Sequence, residues 1–337
     1  MENTWSVEMD TQDGAELCFP QLFNISCKKP TTPLSQVLLL YIVVSSMSLL
    51  TVTLNLLVII AVSHFRQLHT PTNILLLSLA VTDFLVGLLF MPGEILRNTA
   101  CWFLGQLTCS LYNYVSYIVA SASVGNMVLI SVDRYVAICD PLHYPTRITE
   151  GRVKLCVCLC WLCSVFYSYV ILIDDLSQPG KHKSCYGRCI IFIEFIAGFV
   201  DLVLAFIIPL TVIIVLYMRV FVVAVSQARA MRSQVTAVTL QLSVTLTAKK
   251  SELKAARTLG VLVLVFLLCF CSYYIISLFG NELLNSSSAS IVIYMYYFNS
   301  CLNPLIYAMF YPWFRKAVKL IVTLQILQPG SCEVSIL

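Results

Sequence analysis

The sequence predicts an all-α membrane protein: a seven-transmembrane helix bundle with a short amphipathic helix after the last span. Three observations predict it. Of the 337 residues, 59% are hydrophobic and only 11% charged, whereas an average soluble domain is about 25% charged. Seven apolar stretches account for the difference, near residues 37–63, 72–96, 103–132, 155–173, 190–218, 258–281 and 283–310. Each comes close to or exceeds the ~20 residues that cross a bilayer as helix. Finally, no charge interrupts Trp102 to Val132 or Thr258 to Asn281, and a soluble fold would have to hide all of this surface in one core.

Charge orients the bundle. An odd number of spans puts the two ends on opposite sides. With the C-terminus inside, the cytoplasmic ends and loops hold 15 of the 21 Lys and Arg, Arg134 included, and the outer side holds 6. That distribution obeys the positive-inside rule. The expected place is the plasma membrane, multi-pass, with the N-terminus extracellular. The first 16 residues carry five acids (Glu2, Glu8, Asp10, Asp13, Glu16) and no base. They lack the basic start and apolar core of a cleaved signal peptide, so the first span is expected to insert the N-terminus outward by itself. The pI near 8.3 reflects bases at the inner face, which suit membrane lipid and not nucleic acid.

Residues 1–35 form an extracellular tail with a glycosylation acceptor at Asn24-Ile-Ser26. Residues 36–325 form one domain without internal repeat. Its first span carries a lone amide, Asn55. The second carries Asp83 at mid-membrane and Glu94 just after Met91-Pro92; Glu94 either lines a pocket or sits at the headgroup boundary. The third ends in Asp133-Arg134-Tyr135, and Trp161 centres the fourth. The fifth holds Asp201, Pro209 and Tyr217, with Glu194 seven residues before Asp201 and on the same helical face. The sixth contains Cys269-Phe270-Cys271-Ser272 followed by Tyr273 and Tyr274. Asn285-Ser-Ser287, a weaker glycosylation acceptor, comes next. The seventh carries Tyr296, Tyr297, Asn299, Ser300, Asn303, Pro304 and Tyr307. Polar groups at such depth are costly and usually face a bundle interior for a purpose. Residues 312–325 predict an amphipathic helix on the membrane, with Trp313, Phe314, Val318 and Ile321 alternating with Arg315, Lys316 and Lys319. Residues 326–337 are expected to be a short polar cytoplasmic tail. The longest loop, 227–249, is cytoplasmic and rich in Ser, Thr and Gln.

There are 15 cysteines. Seven lie in apolar spans and read as small packing residues, and Cys139 and Cys332 are cytoplasmic. Cys18, Cys27, Cys101, Cys109, Cys185 and Cys189 face outside, where an oxidising compartment favours disulfides. Their connectivity is not readable from spacing alone.

Taken as an ordered set, Asn55, Asp83, Asp133-Arg134-Tyr135, Trp161, Pro209, Tyr217 and Asn303-Pro-Leu-Ile-Tyr307 resemble the rhodopsin-like G-protein-coupled receptors over residues 36–325. The run Asn299-Ser-Cys-Leu-Asn-Pro-Leu-Ile-Tyr-Ala-Met-Phe-Tyr-Pro-Trp-Phe314 narrows the likeness to the trace amine-associated receptors. His69-Thr-Pro-Thr-Asn73 and Lys254-Ala-Ala-Arg-Thr-Leu-Gly260 are similar to that family too. The resemblance implies a heterotrimeric G protein as partner, of the stimulatory or olfactory class that raises cyclic AMP, and sensory neurons of an olfactory epithelium as setting. It implies that Arg134 pairs with Glu252, holding the inner ends of spans three and six together until activation; Arg134 otherwise snorkels to headgroups. It implies a sodium cluster of Asp83, Ser123, Asn299, Ser300 and Asn303, whose oxygens suit a hard cation. A hydrated polar core without metal is the other reading. No other cofactor is implied. It also implies a Cys109–Cys189 bridge and a second, Cys27–Cys185, which leaves Cys18 and Cys101 with no implied partner.

The ligand position departs from the pattern. Aminergic receptors and most trace amine receptors carry an aspartate in span three, at the position that is Ser116 here. A hydroxyl cannot neutralise an ammonium ion. Asp201 offers a replacement, because it is the only charge between Phe195 and Met218. A carboxylate near mid-helix costs about 2.5–3.5 kcal/mol to insert and marks a functional site by default. Its expected partner is a ligand cation; the other reading is a protonated Asp201 bonded to a neighbouring helix. Some fish members of the family carry the acid on helix five instead of helix three, and this chain resembles them. Tyr273, Tyr274, Tyr296 and Tyr297 are candidate aromatic walls for the cation, and Glu194 a vestibule charge. The family's Cys-Trp-x-Pro is Cys269-Phe270-Cys271-Ser272 here. Phe270 keeps the place of a rotamer toggle, while a kink needs a cause other than proline, such as Ser272 or a bound water.

The expected function is an olfactory receptor for volatile or water-borne mono-, di- or polyamines. The alternative is a receptor for a non-amine or a neurotransmitter-like amine, with Asp201 as a hydrogen-bonding group. A transporter would need charged or broken helices in paired halves. An enzyme would need a His, Cys and acid constellation at one depth, and the chain has 4 His.

Overall fold

A computed structural model describes residues 16–22, 25–29, 33–180, 185–191, 193–235, 260–261, 263–272, 274 and 287–336. Asn24, Glu252, Tyr273 and Asn285 lie outside these residues. Helix α1 covers Leu34–His64, α2 Pro71–Thr99, α3 Gln106–Cys139 and α4 Glu150–Ile171. Helix α5 runs through Phe195–Asp201, a π-turn at Leu202–Ile207 and Ile208–Val235. Helix α6 includes Val263–Ser272, α7 covers Ser287–Phe310 and α8 Pro312–Val322. Helices α1 to α5 are each long and apolar enough to cross a membrane. The bundle has seven spanning helices, with α3 packed against α2, α4 and α5, and α1 against α2, α7 and α8.

The burial pattern is that of a protein dissolved in lipid. On α4, Leu155, Leu159, Leu162 and Phe166 form one exposed stripe, while Ser164 and Ser168 are buried. On α1, Leu38, Leu39, Ile42 and Leu49 are exposed, whereas Thr51 and Asn55 are inside. Apolar side chains lose nothing by facing hydrocarbon, but hydroxyls and amides need partners, so they turn inward. The signature polar residues are therefore ties between helices. Asn55 Nδ2 donates to the Ser300 carbonyl at 3.0 Å, and Trp161 Nε1 to Ser78 Oγ at 3.1 Å. At the start of α2, Thr70 Oγ1 accepts from the Asn73 amide at 3.3 Å with Pro71 in the first turn, the usual helix-start chemistry.

Two prolines reshape the spans. Pro92 and Pro209 each remove a helical N–H, and a π-turn lies just before each, at Val86–Phe90 and Leu202–Ile207. One extra residue in a turn rotates everything upstream by about 100°. In α5 that rotation acts on Asp201, the residue immediately before the π-turn. In α6, which lacks proline, Ser272 Oγ donates back to the Leu268 carbonyl at 2.7 Å, a contact that bends helices.

Three disulfides build a cap at the end of the bundle opposite Arg134: Cys109–Cys189, Cys27–Cys185 and Cys18–Cys101. The first two pairs are those the resemblance implies. The third corrects the expectation that Cys18 and Cys101 have no partner. The segment around Cys18 folds back on itself and lies along the Cys185–Cys189 loop, with the Cys27 amide donating to the Tyr186 carbonyl at 2.8 Å. Gly187 takes φ 109° there, and a Cβ on it would sit 2.8 Å from the Cys18 Cβ, so only glycine allows this approach. Cys101→Ser is expected to cost about 2–4 kcal/mol, read as a lower thermal midpoint in detergent, and non-reducing peptide maps of the wild type should contain the Cys18–Cys101 pair.

The other end differs from expectation in two ways. Trp313 and Phe314 do not face lipid; they are buried in the same cluster as Phe65, Leu68 and Tyr307, because Pro312 turns α8 back under α1. Nor is the tail a free polar strand. Leu324, at φ 58°, ends the helical path, and the chain returns to α1. There Ser331 Oγ lies 2.9 Å from His64 Nε2, the Ile336 amide donates to Gln67 Oε1 at 3.1 Å, and Ile336 is buried.

Candidate functional site

A cavity of about 100 Å³ lies between α3, α4, α5, α6 and α7. Ser116, Tyr117, Ala120 and Ser121 of α3 form one wall, and Phe270, Tyr274, Tyr296 and Tyr297 face it. Tyr167 of α4 and Asp201 of α5 close one side. Asp201 is 7% exposed. Its Oδ1 accepts from the Tyr167 hydroxyl at 2.5 Å and its Oδ2 from the Tyr274 hydroxyl at 3.3 Å. No Lys, Arg or His pairs with it among the described residues. Phenol donors suit the ionised form, and a carboxylate with about four lone-pair sites keeps room for further N–H donors after accepting two. The cavity therefore brings together Asp201, Ser116, Tyr274 and Tyr297.

Tyr167 was not legible as a site residue: a tyrosine among Cys, Phe and Ser in an apolar helix reads as packing, and only its hydroxyl's partner shows otherwise. Tyr167→Phe removes a donor to a buried charge, worth about 1.5–3 kcal/mol. It is expected to weaken the cavity's hold on a cation roughly tenfold or more at unchanged surface expression; unchanged binding would contradict this role.

Glu94 is placed otherwise than a pocket acid. It is 5% exposed, yet it does not line the cavity among the described residues. Arg97 Nη1 donates to its Oε1 at 2.8 Å. Glu194 is exposed at the N-terminus of α5.

Beneath the cavity the aromatic rings form a column. Phe206 stacks on Tyr274 at 4.5 Å between centroids, Tyr274 tilts against Phe270 at 5.1 Å, and Phe270 stacks on Phe266 at 5.0 Å. Rings packed this closely leave little slack between Phe270 and Phe266.

At mid-bundle, Asn303 Nδ2 donates to Asp83 Oδ2 at 2.7 Å. Ser123 on α3 and Asn299 and Ser300 on α7 are buried as well. Asp83 Oδ1, Asn299 Oδ1 and Asn303 Oδ1 are buried oxygens with no hydrogen-bond partner among the described residues. Oxygen-only donors left this way fit a hard cation.

At the far end, Asp133 is 2% exposed and holds a small network. Its Oδ1 accepts from Tyr144 at 2.8 Å and its Oδ2 from Thr72 at 2.9 Å. Arg134 pairs with Asp133 and also donates to Thr72. Thr72 lies in the His69–Asn73 run, which thereby has a physical role. Tyr135 packs with Ile138 and Val220. The hydroxyls of Tyr217, Tyr307 and Tyr311 are buried with no hydrogen-bond partner among the described residues. Pro304 sits inside α7, one turn before Tyr307.

Residues 54–307 match the family of seven-transmembrane receptors of the rhodopsin family. The chain is similar to "Trace amine-associated receptor 13c" of Danio rerio, 36% identical over 96% of this chain and 97% of the relative. It is also similar to "Trace amine-associated receptor 7e" of Mus musculus, 38% identical over 97% and 93%, and to "Trace amine-associated receptor 1" of Macaca mulatta, 34% identical over 92% and 95%.

Proposed function

Because this chain belongs to the rhodopsin family of seven-transmembrane receptors, and within it to the trace amine-associated receptors, we propose that it senses a small amine held as a cation by Asp201. One observation carries the reading: the described wall of the cavity holds one carboxylate, and phenols rather than a cation accompany it. An ammonium ion entering the cavity supplies the missing positive charge. Tyr274, Tyr296 and Phe270 give it aromatic faces, and Ser116 a hydroxyl.

The disulfide cap is the extracellular side and the Arg134 end the cytoplasmic one, in keeping with the placement of 15 of the 21 Lys and Arg. Amine binding draws α5, α6 and α7 together around Asp201. The Phe270–Phe266 column carries that movement along α6, and the end of the bundle at Arg134 opens. Arg134 leaves Asp133, and a heterotrimeric G protein of the stimulatory or olfactory class engages the cleft and raises cyclic AMP. Tyr217, Tyr307 and Tyr311 gain partners in that rearrangement, which offsets the cost of their present burial, about 1–3 kcal/mol each. A sodium ion among Asp83, Ser123, Asn299, Ser300 and Asn303 would favour the closed arrangement by binding it more tightly. The proposed setting is olfactory.

A second reading, a neutral ligand, draws on the same two phenols, which already satisfy Asp201 without a cation. A panel of mono-, di- and polyamines in a cyclic-AMP assay separates the two. Response to at least one amine is expected; silence to all of them, from a receptor at the cell surface, would reject the amine reading.

A further inference from the structure

Glu94 lies one side chain behind the wall of the amine cavity. The link is Tyr297, whose ring lines the cavity while its hydroxyl donates to Glu94 Oε1 at 3.4 Å. A free carboxylate at that place would be a second anionic pole for a ligand already anchored on Asp201. It is not free. Arg97, one turn further along α2, donates to the same Oε1 at 2.8 Å. The guanidinium is itself held: Nε donates to the Cys189 carbonyl at 3.1 Å, and the group sits 5.7 Å from the centroid of the Tyr112 ring. Cys189 is bonded to Cys109, so the covalent cap fixes the cation that covers Glu94. A planar, always-charged guanidinium suits such a post. The charges of Glu94 and Arg97 cancel, and Asp201 alone sets the charge the cavity can neutralise.

We propose that Arg97 determines charge selectivity: by covering Glu94 it makes this a receptor for small monoamines, with Glu94 a latent second amine-binding group. The proposal rests on the amine reading of Asp201. The second ammonium of a diamine would have to leave water with no anion to meet it and with the Arg97 charge nearby, and unpaired burial of charge is strongly unfavourable.

The test uses the full-length receptor in cells, with cyclic AMP as readout and surface expression measured in parallel. The probes are propylamine through octylamine and the matching series 1,3-diaminopropane through 1,8-diaminooctane. In the wild type each monoamine is expected to be about tenfold or more the stronger of its pair. Arg97→Gln keeps a donor for the Cys189 carbonyl but leaves the Glu94 charge uncompensated, with only the neutral donors Asn98, Tyr112 and Tyr297 on it. At the chain length that reaches both carboxylates it should reverse the preference by a similar factor, and adding Glu94→Gln should abolish the gain. A wild type that prefers diamines, or an Arg97→Gln receptor with a normal monoamine response and an unchanged ratio, overturns the proposal. Should Arg97→Gln fail to reach the surface, Glu94→Gln alone decides. It bares the Arg97 charge and should lower diamine potency a further tenfold or so relative to monoamines; an unchanged ratio counts against the proposal. A wild type deaf to every monoamine sinks the Asp201 reading and this proposal with it, whereas a monoamine response with an unchanged ratio sinks this proposal alone.

Discussion

Asp201→Asn is expected to cost at least a hundredfold in amine potency while leaving the receptor at the cell surface. The substitution keeps the shape of the side chain; one of Tyr167 and Tyr274 can still donate to the amide oxygen, and the other can turn its hydroxyl to accept from the new NH2 group, so the bundle keeps its packing. What disappears is the negative charge. Breaking a buried ion pair by removing one partner costs about 3–5 kcal/mol, and each 1.4 kcal/mol is about tenfold in affinity. Because Ser116 stands where an acid would otherwise be, the wall that α3 gives the cavity has no carboxylate with which to rescue the ligand. Asp201→Glu should recover part of the response, since it restores charge at the expense of geometry. If Asp201→Asn answers amines as the wild type does, the ion pair is wrong and the neutral-ligand reading takes its place.

The second large effect is expected at the opposite end. Asp133→Asn should raise cyclic AMP in the absence of any amine several-fold, and lower the thermal midpoint of the purified receptor. Asp133 is the anion of a buried network in which Arg134, Thr72 and Tyr144 all point at one carboxylate. Arg134 cannot shed its charge. With Asp133 neutral, the guanidinium loses the anion beside it on α3 and Thr72 of α2 loses a charged acceptor, and the closed arrangement loses a share of the ~3–5 kcal/mol that such a pair secures. A shift of about 1.4 kcal/mol toward the open form is already tenfold in its population. Unchanged basal signalling together with unchanged stability would show that Asp133 does not restrain Arg134.

How far the sequence foretold these sites depended on the chemistry of each residue. Asp201 stood out because a single carboxylate in an apolar span has no cheap structural reason to be there. Asp83 and Asn303 stood out for the same reason, and they meet at 2.7 Å. Tyr167 was hidden because its ring suits lipid as well as any apolar side chain, and only its hydroxyl, 2.5 Å from Asp201, gives it a role. Glu94 was visible as an acid, yet its partner Arg97 stands three residues on, where helical neighbours meet. They were not paired from the sequence; the structure pairs them, and it sets Glu94 behind Tyr297, off the described lining of the cavity. Trp313 and Phe314 carried the composition of an interfacial helix, but amphipathicity does not distinguish a lipid surface from the underside of a bundle. The fold of the tail against His64 and Gln67 depends on the reversal at Leu324, which no periodicity announces. The π-turn after Asp201 belongs to the same class: Pro209 marks the neighbourhood, but the extra residue in the turn emerges only when the helix is built.

The central claim is that the amine is held from α5. A structure of the receptor bound to an activating monoamine tests it most directly. The account predicts the ammonium nitrogen within about 3 Å of an Asp201 carboxylate oxygen, between Tyr167 and Tyr274. An ammonium seated instead against Glu94, or beside Ser116 with Asp201 still occupied only by its two phenols, would contradict it.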